Sequence, residues 1–313
     1  MTSEPDNAVN PASANTSVAY LNGSWKPLAE CQVPINTHAL QYGTGCFEGI
    51  RGYWDGQAIN LLFLREHFER LARNASLLLM SCPSVEEMCE IAVQAVARNA
   101  PRQNVYLRPM VYKRGTGLGP VLLNVPDGYL CYLLPLENYF ASAQGLNVCV
   151  SSWTRLSDNS IPTRTKATGG YLNSALAKSE AVANGYDEAI FLNDRGQVCE
   201  GSAENIFIVR DGVLTTPDRT ADILEGITRK AVFQLSRDLG LTVCERAIGR
   251  TELYVAEEIF LVGTGCQVMH VRSVDRRLIG DGNRGALTAR VQRAYEDAVY
   301  ARNPAYRGWL TRV

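Results

Sequence analysis

Tyr171-Leu-Asn-Ser-Ala-Leu-Ala-Lys-Ser-Glu-Ala-Val-Ala-Asn184-Gly185 is followed by Ala189-Ile-Phe-Leu192, Asn193-Asp-Arg-Gly196 and Asn205-Ile-Phe-Ile-Val-Arg210. The first run reads as a helix stopped by Gly185, because glycine takes the left-handed turn that ends a helix at no steric cost. The two later apolar runs read as strands, with Asn, Asp and Gly supplying the turn. Working outward, Leu146–Trp153 reads as a strand, Gly226–Leu239 as a helix, the segments near Leu241 and at Glu258–Val262 as strands, and Leu287–Ala301 as a last helix. Helices and strands mix without a regular βαβ alternation, which predicts an α+β fold over a doubly wound sheet.

The first half has its own pattern. Val18 onward reads as strand, Asn22-Gly23 turn and strand, a hairpin signal. Arg65–Leu79 places Phe68, Leu71, Ala72, Ala75 and Leu79 on one helical face. Ser84-Val-Glu-Glu87 is a capping box that opens a second helix, to about Asn99. Strands are expected at Val105–Tyr112 and Tyr129–Leu134, flanking a Gly-rich loop from Lys113 to Gly128 that is either an active-site flap or a plain loop. The expected organisation is a flexible tail over 1–17, a small domain over 18–134, a connection over 135–145 and a large domain over 146–313.

Composition narrows the function classes. The chain has 313 residues, 46% hydrophobic and 20% charged, enough to bury a substantial core and to form two domains. With 31 basic against 32 acidic residues and no long basic run, it lacks the electrostatic footprint of a nucleic-acid or membrane-surface binder. Small molecules are the expected partners. No apolar stretch approaches the roughly 18 residues of a membrane span, no leader pattern is read at the start, and the cytoplasm is the expected compartment. Nine cysteines without a C-x-x-C pair form neither a disulfide framework nor a zinc-ligand set.

Chemistry concentrates in a few segments. Ile161-Pro-Thr-Arg-Thr-Lys166-Ala-Thr-Gly-Gly-Tyr171 sets a lysine amine, a potential nucleophile, in a loop before a Gly-Gly step. Taken alone, Lys166 reads as a solvated loop charge. Gly43-Thr-Gly-Cys-Phe-Glu48-Gly49-Ile-Arg51, Glu200-Gly-Ser-Ala-Glu204-Asn205 and Gly263-Thr264-Gly265 each read singly as turns. The last follows a strand and offers backbone amides to an anion. Gly226-Ile227-Thr228-Arg229 opens a helix whose free N–H groups suit a phosphate, although Thr228 can equally cap it. Arg70, four residues after Glu66, reads as a solvent-side ion pair. Gly115-Thr-Gly-Leu-Gly119 lacks the spacing of a nucleotide loop.

Together these segments resemble the class IV aminotransferases. His38-Ala-Leu-Gln-Tyr42-Gly-Thr-Gly-Cys-Phe47-Glu-Gly-Ile-Arg51, Arg65-Glu-His-Phe-Glu-Arg70-Leu, Tyr106-Leu-Arg108-Pro, Ile161-Pro-Thr-x-x-Lys166, Glu200-Gly-x-x-Glu-Asn205, Gly226-Ile-Thr228-Arg and Gly263-Thr264 occur in that family's order. The branched-chain amino acid aminotransferases are the group most closely resembled, over residues 18 to 310. The resemblance implies a two-domain fold type IV pyridoxal phosphate enzyme, with a small α/β domain and a larger β-barrel-like domain flanked by helices. It also implies transamination between leucine, isoleucine or valine and 2-oxoglutarate, in amino-acid metabolism.

By the same resemblance Lys166 carries pyridoxal 5′-phosphate as a Schiff base and moves a proton during the reaction. Tyr171 contacts the cofactor's phenolic oxygen and Glu200 its ring nitrogen, while Arg70, Ile227, Thr228 and Thr264 hold the phosphate. Tyr106 with the amides of Thr264 and Gly265 meets the α-carboxylate, and Arg108 the distal carboxylate of glutamate. Tyr42, Phe47, Arg51 and Cys266 line the substrate pocket. Tyr139 reaches a neighbouring subunit, so a homodimer or higher homo-oligomer is expected. Glu48 and Glu204 receive no role beyond structural hydrogen bonding.

The departures fall on the substrate side. Many relatives have Gly-Thr-Ala-Ala-Glu where this chain has Gly263-Thr-Gly-Cys-Gln267, Leu136 replaces a common tryptophan, and the Lys113–Gly128 loop looks long. Enzymes acting on D-amino acids, (R)-amines or a specialised amino acid, and aminodeoxychorismate lyase, share the lysine. The Tyr106-x-Arg108 pair and Phe-Glu-Gly-Ile-Arg51 fit the branched-chain group better.

Overall fold

A computed structural model of the protein describes residues 17–137, 139–140 and 144–313, which fall into two compact units, 1–137 with 308–313, and 138–307. The expected tail, apart from Ser17, lies outside the described residues, as does part of the expected connection.

The first unit opens with β1 (Val18–Leu21) and β2 (Ser24–Pro27), joined at Leu21↔Ser24 by Asn22 and Gly23 with φ of 48° and 90°. Two successive positive φ values make the tight hairpin turn that Asn-Gly favours. Then come α1 (His38–Tyr42), β3 (Gly45–Phe47), β4 (Ile50–Trp54), β5 (Ile59–Leu62), α2 (Leu64–Leu77), α3 (Val85–Asn99), β6 (Val105–Lys113) and β7 (Asp127–Pro135). The strands form one sheet in which β5, β4, β6, β7, β1 and β2 are successive antiparallel neighbours and β3 adds to β6. A strand at Leu310–Arg312 pairs with β5, which is why Gly308–Val313 cluster with this unit and not with the large domain to which the sequence assigns them.

Ser84 Oγ accepts from the Glu87 N–H at 3.2 Å, so the N-cap read from sequence forms. Phe68, Leu71 and Ala75 of α2 and Met88, Ala92 and Ala95 of α3 are buried against Val105, Leu107 and Val111 on one face of the sheet. Leu79 departs from the expected stripe: it follows the helix in a left-handed conformation (φ 54°) and is 55% exposed. The period of two puts Phe47, Arg51, Tyr106 and Arg108 on the other face, with Phe47↔Met110 and Arg51↔Tyr106 directly paired.

The second unit contains β8 (Leu146–Thr154), α4 (Tyr171–Ala183), β9 (Glu188–Leu192), β10 (Val198–Gly201), β11 (Asn205–Arg210), β12 (Val213–Thr216), α5 (Ile227–Asp238), β13 (Val243–Glu245), β14 (Glu258–Gly263), β15 (Gln267–Val274) and α6 (Ala286–Val299). Strands β10, β9, β8, β15, β14 and β11 are successive neighbours, and Glu200↔Asn205 pairing of β10 with β11 closes them into a six-stranded barrel. Alternate residues divide between two apolar layers. Ile190, Val198, Ile206, Ile208, Ile259 and Leu261 form one cluster, while Ala189, Phe191 and Cys199 pack under Ala177 and Ala181 of α4. The fold is therefore α+β with a barrel in its larger unit. Among the described residues no helix is long and apolar enough to cross a membrane.

Candidate active site

Lys166 lies in the loop between β8 and α4, directly before a 3₁₀ turn at Thr168–Gly170 that feeds Tyr171 into α4. This one-turn advance swings the phenol back: Lys166 Nζ donates to the Tyr171 hydroxyl at 2.5 Å and stands 5.2 Å from the ring centroid. Lys166, Tyr171, Glu200 and Asn205 line one cavity. Lys166 is thus half-buried inside a site, not the solvated loop charge it resembles in isolation.

Glu200, on β10, is 5% exposed. It accepts from Asn205 Nδ2 at 3.1 Å and from the Leu224 N–H at 3.0 Å, and Arg155 Nη2 lies 2.8 Å from its other oxygen. Burial pushes the Glu200 carboxyl above the usual range, against the opposing pull of Arg155, the Leu224 N–H and Lys166. Asn205 also donates to the Leu224 carbonyl at 2.9 Å, stitching the approach to α5 onto the β10–β11 closure. Gly226 is the N-cap of α5 without a side-chain cap, so Ile227 and Thr228 occupy the first turn and Thr228 is not the cap. The turn Thr264–Cys266 joins β14 to β15. Cys266 is buried, and Tyr139, expected to reach a neighbouring subunit, packs on Gly265 of its own chain.

In the first unit three expected residues converge. The Arg108 guanidinium carbon lies 4.3 Å from the Phe47 ring centroid and 5.2 Å from that of Tyr106, and Nη2 donates to the Tyr106 hydroxyl at 3.1 Å. Arg51 is 1% exposed and donates to the carbonyl oxygens of Leu136, at 2.8 Å, and Glu137, so it tethers the chain leaving β7. Tyr42 accepts the Gly119 N–H at 2.9 Å, and His38 Nε2 meets the Gly119 carbonyl at 3.0 Å. The Lys113–Gly128 loop is therefore tied to α1. Arg70 corrects the surface ion pair read from sequence: it is buried and grips Glu48, whereas Glu69 is the partner of Arg65, at 3.3 Å.

The matches to known proteins follow the same outline. The family model for amino-transferase class IV covers residues 45–274. The chain belongs to the class IV aminotransferases. Within this family it is 44% identical over 299 residues to a probable branched-chain-amino-acid aminotransferase of Aquifex aeolicus, covering 94% of this chain and 96% of that one. Its fold matches the branched-chain aminotransferase of Thermoproteus uzoniensis, solved with norvaline, at a TM-score of 0.92 and 38% identity over 95% and 99% of the two chains. The T.th. branched-chain amino acid aminotransferase, solved with N-(5′-phosphopyridoxyl)-L-glutamate, matches at 0.90 and 38% identity over 95% and 98%.

Two further members of this class IV site carry little sequence signal. Arg155, one residue past β8, pairs with Glu200 from 45 positions away and belongs to none of the quoted motifs. Asn205 sits in a quoted motif, but its grip on both Glu200 and Leu224 depends on barrel closure.

Proposed function

We propose that the protein transfers the amino group of L-leucine, L-isoleucine or L-valine to 2-oxoglutarate, using pyridoxal 5′-phosphate bound through Lys166. The decisive feature is the 2.5 Å contact between Lys166 Nζ and the Tyr171 hydroxyl in a cavity that also presents Glu200. A primary amine beside a phenol, a buried carboxylate and the uncapped first turn of α5 fit an aldehyde, a ring nitrogen and a phosphate respectively. Complexes of relatives with norvaline and with phosphopyridoxyl-glutamate support an aliphatic amino acid and glutamate as the two amino donors.

When bound, the cofactor supplies an electron sink for negative charge at the substrate Cα. With the cofactor bound, the Lys166 amine would take the proton from the substrate Cα and deliver it to the cofactor's C4′. The Tyr171 hydroxyl holds that amine in place between the two transfers. Glu200 would hold the ring nitrogen of the cofactor; Arg155 and the Leu224 N–H oppose the effect of burial on its carboxyl. Arg70, Ile227, Thr228 and Thr264 take the phosphate, as guanidinium, helix-start amides and hydroxyl donors do.

Tyr106 and the amides of Thr264 and Gly265 take the α-carboxylate, and Arg108 takes the distal carboxylate of glutamate. Phe47, Tyr42 and Cys266 shape the apolar wall, and Arg51 acts on that wall through its tether. A cytoplasmic homodimer is part of the same proposal. The test is a spectrophotometric half-reaction panel. L-Leucine should bleach the visible band of the loaded protein, and D-alanine and (R)-1-phenylethylamine should not. Bleaching by a D-substrate alone overturns the assignment.

A further inference from the structure

Glu204 lines the same cavity as Lys166, Tyr171 and Glu200, and the proposed transamination gives it no step. It sits in the turn from β10 to β11 and is 4% exposed. The Gly201 N–H donates to its carbonyl at 2.6 Å, and its own Oε2 accepts the Ala203 N–H at 3.1 Å. The carboxyl lies so close over Gly201 that a Cβ there would stand 2.7 Å from Oε2. Next to it Glu188, wholly buried at the start of β9, accepts the Ala189 N–H at 2.7 Å and is paired with Lys178 of α4, also at 2.7 Å.

The charges that act on Glu204 are those of Glu188, Lys178 and Lys166. Glu200 with Arg155, and the Tyr171 phenol, share the cavity. From β14 it meets uncharged Gly263, with the buried Cys266 thiol beside that glycine.

We propose that Glu204 is a positioning residue for Lys166: from its buried place in the wall of the cavity that both line, its carboxyl, when ionised, raises the proton affinity of the Lys166 amine and so sets the pH at which that amine is charged. Two carboxylates lining one cavity, Glu200 and Glu204, cannot both ionise cheaply, and the nearby cations are already paired, Arg155 with Glu200 and Lys178 with Glu188. Burial and the Glu188 charge push Glu204 up, to about 8. Its consequence for catalysis rests on Lys166 being the cofactor lysine; the proton coupling itself belongs to the chain without cofactor.

The test uses the full-length chain, wild type and Glu204→Gln, prepared without and with pyridoxal 5′-phosphate. In the cofactor-free chain, the pH dependence of Lys166 acetylation by acetic anhydride is read by peptide mass spectrometry. Its midpoint should fall by about one unit in Glu204→Gln, because a neighbouring anion that stabilised the ammonium is gone. The wild-type melting temperature should decline as pH rises from about 4.5 to about 8 and level off above that, a decline that Glu204→Gln should lack, since a raised folded pKa gives stability that is lost between the unfolded and folded values. If Glu204→Gln does not fold, Glu188→Gln carries the test, and it should move this fall to lower pH. An unmoved Lys166 midpoint, or melting curves parallel at every pH, overturns the proposal. Absence of a visible band after loading overturns the cofactor assignment and leaves the acetylation result to decide the coupling.

Discussion

Arg70 meets Glu48 through two parallel hydrogen bonds, Nε to Oε1 at 2.6 Å and Nη2 to Oε2 at 2.8 Å, with both side chains buried. His67 Nδ1 shares Oε2 at 2.7 Å. A planar guanidinium gripped along one edge by a carboxylate has a fixed orientation, so Glu48 aims the arginine proposed to hold the phosphate. Replacing Glu48 by Gln strands a buried guanidinium, and a loss of about 3–5 kcal/mol in urea unfolding is expected. Cofactor affinity should fall with it. Arg65→Ala, at the exposed pair with Glu69 and Glu86, should leave unfolding unchanged. Equal effects from the two variants would show that Glu48 contributes no more than a surface charge.

The same cluster predicts an acid limb in the stability profile. Burial disfavours the Glu48 charge, but Arg70 and His67 outweigh it and hold the carboxyl well below the usual range. A folded pKa below the unfolded value gives stability that is complete above about 4.5 and is lost as pH falls. Glu204 has the opposite sign, losing its contribution as pH rises through about 8. Urea midpoints measured across pH should therefore fall at both ends. Glu48→Gln should flatten the acid limb only, and Glu204→Gln the alkaline limb only. Any other pattern of limbs would reject this assignment of charges.

What could be read from sequence was local. The helix ending at Asn99 announces itself through Ser84 and its stripe, and the first hairpin through Asn22-Gly23, because both depend on residues a few positions apart. Strands β4 and β5 gave no alternation: Ile50–Tyr53 and Ile59–Leu62 are buried throughout, so no polar face marks a period of two. Helix α1, with five residues, is too short to show a period. The strand Leu310–Arg312 is defined by pairing with Leu62–Asn60, across almost the whole chain. The site followed the same rule. Lys166 and Tyr171, five positions apart, were legible together, whereas the true partner of Arg70 lies 22 residues upstream and that of Glu200 was an arginine outside every motif.

Arg108 is the residue on which acceptor choice should turn. It lies between the Phe47 and Tyr106 rings and donates to the Tyr106 hydroxyl, so its charge is held against aromatic faces. Arg108→Met keeps the apolar stem and removes the charge. The KM for 2-oxoglutarate should rise about 10- to 100-fold, the range of a lost charge-assisted hydrogen bond, while the half-reaction with L-leucine changes far less. A parallel loss in both half-reactions would mean that Arg108 supports the sheet face and not the distal carboxylate.

Gly265 and Tyr139 pack directly against each other. A Cβ on Gly265 would stand 2.9 Å from the Tyr139 ring, so the aromatic ring occupies the space that an alanine methyl would need. The ring is also held edge-on by Phe140, with centroids 5.0 Å apart, which limits how far it can retreat. Gly265→Ala must therefore displace Tyr139, and the displacement reshapes the pocket at the amides proposed for the α-carboxylate. Changing an apolar wall by one methyl group is worth about 1–3 kcal/mol in discrimination. The ratio of kcat/KM for L-leucine to that for L-valine should shift at least severalfold in Gly265→Ala. Tyr139→Leu combined with Gly265→Ala should recover part of the shift, because the smaller side chain yields to the new methyl. If Gly265→Ala alters cofactor affinity and leaves the leucine-to-valine ratio intact, the turn serves the phosphate, and substrate choice lies elsewhere on the wall.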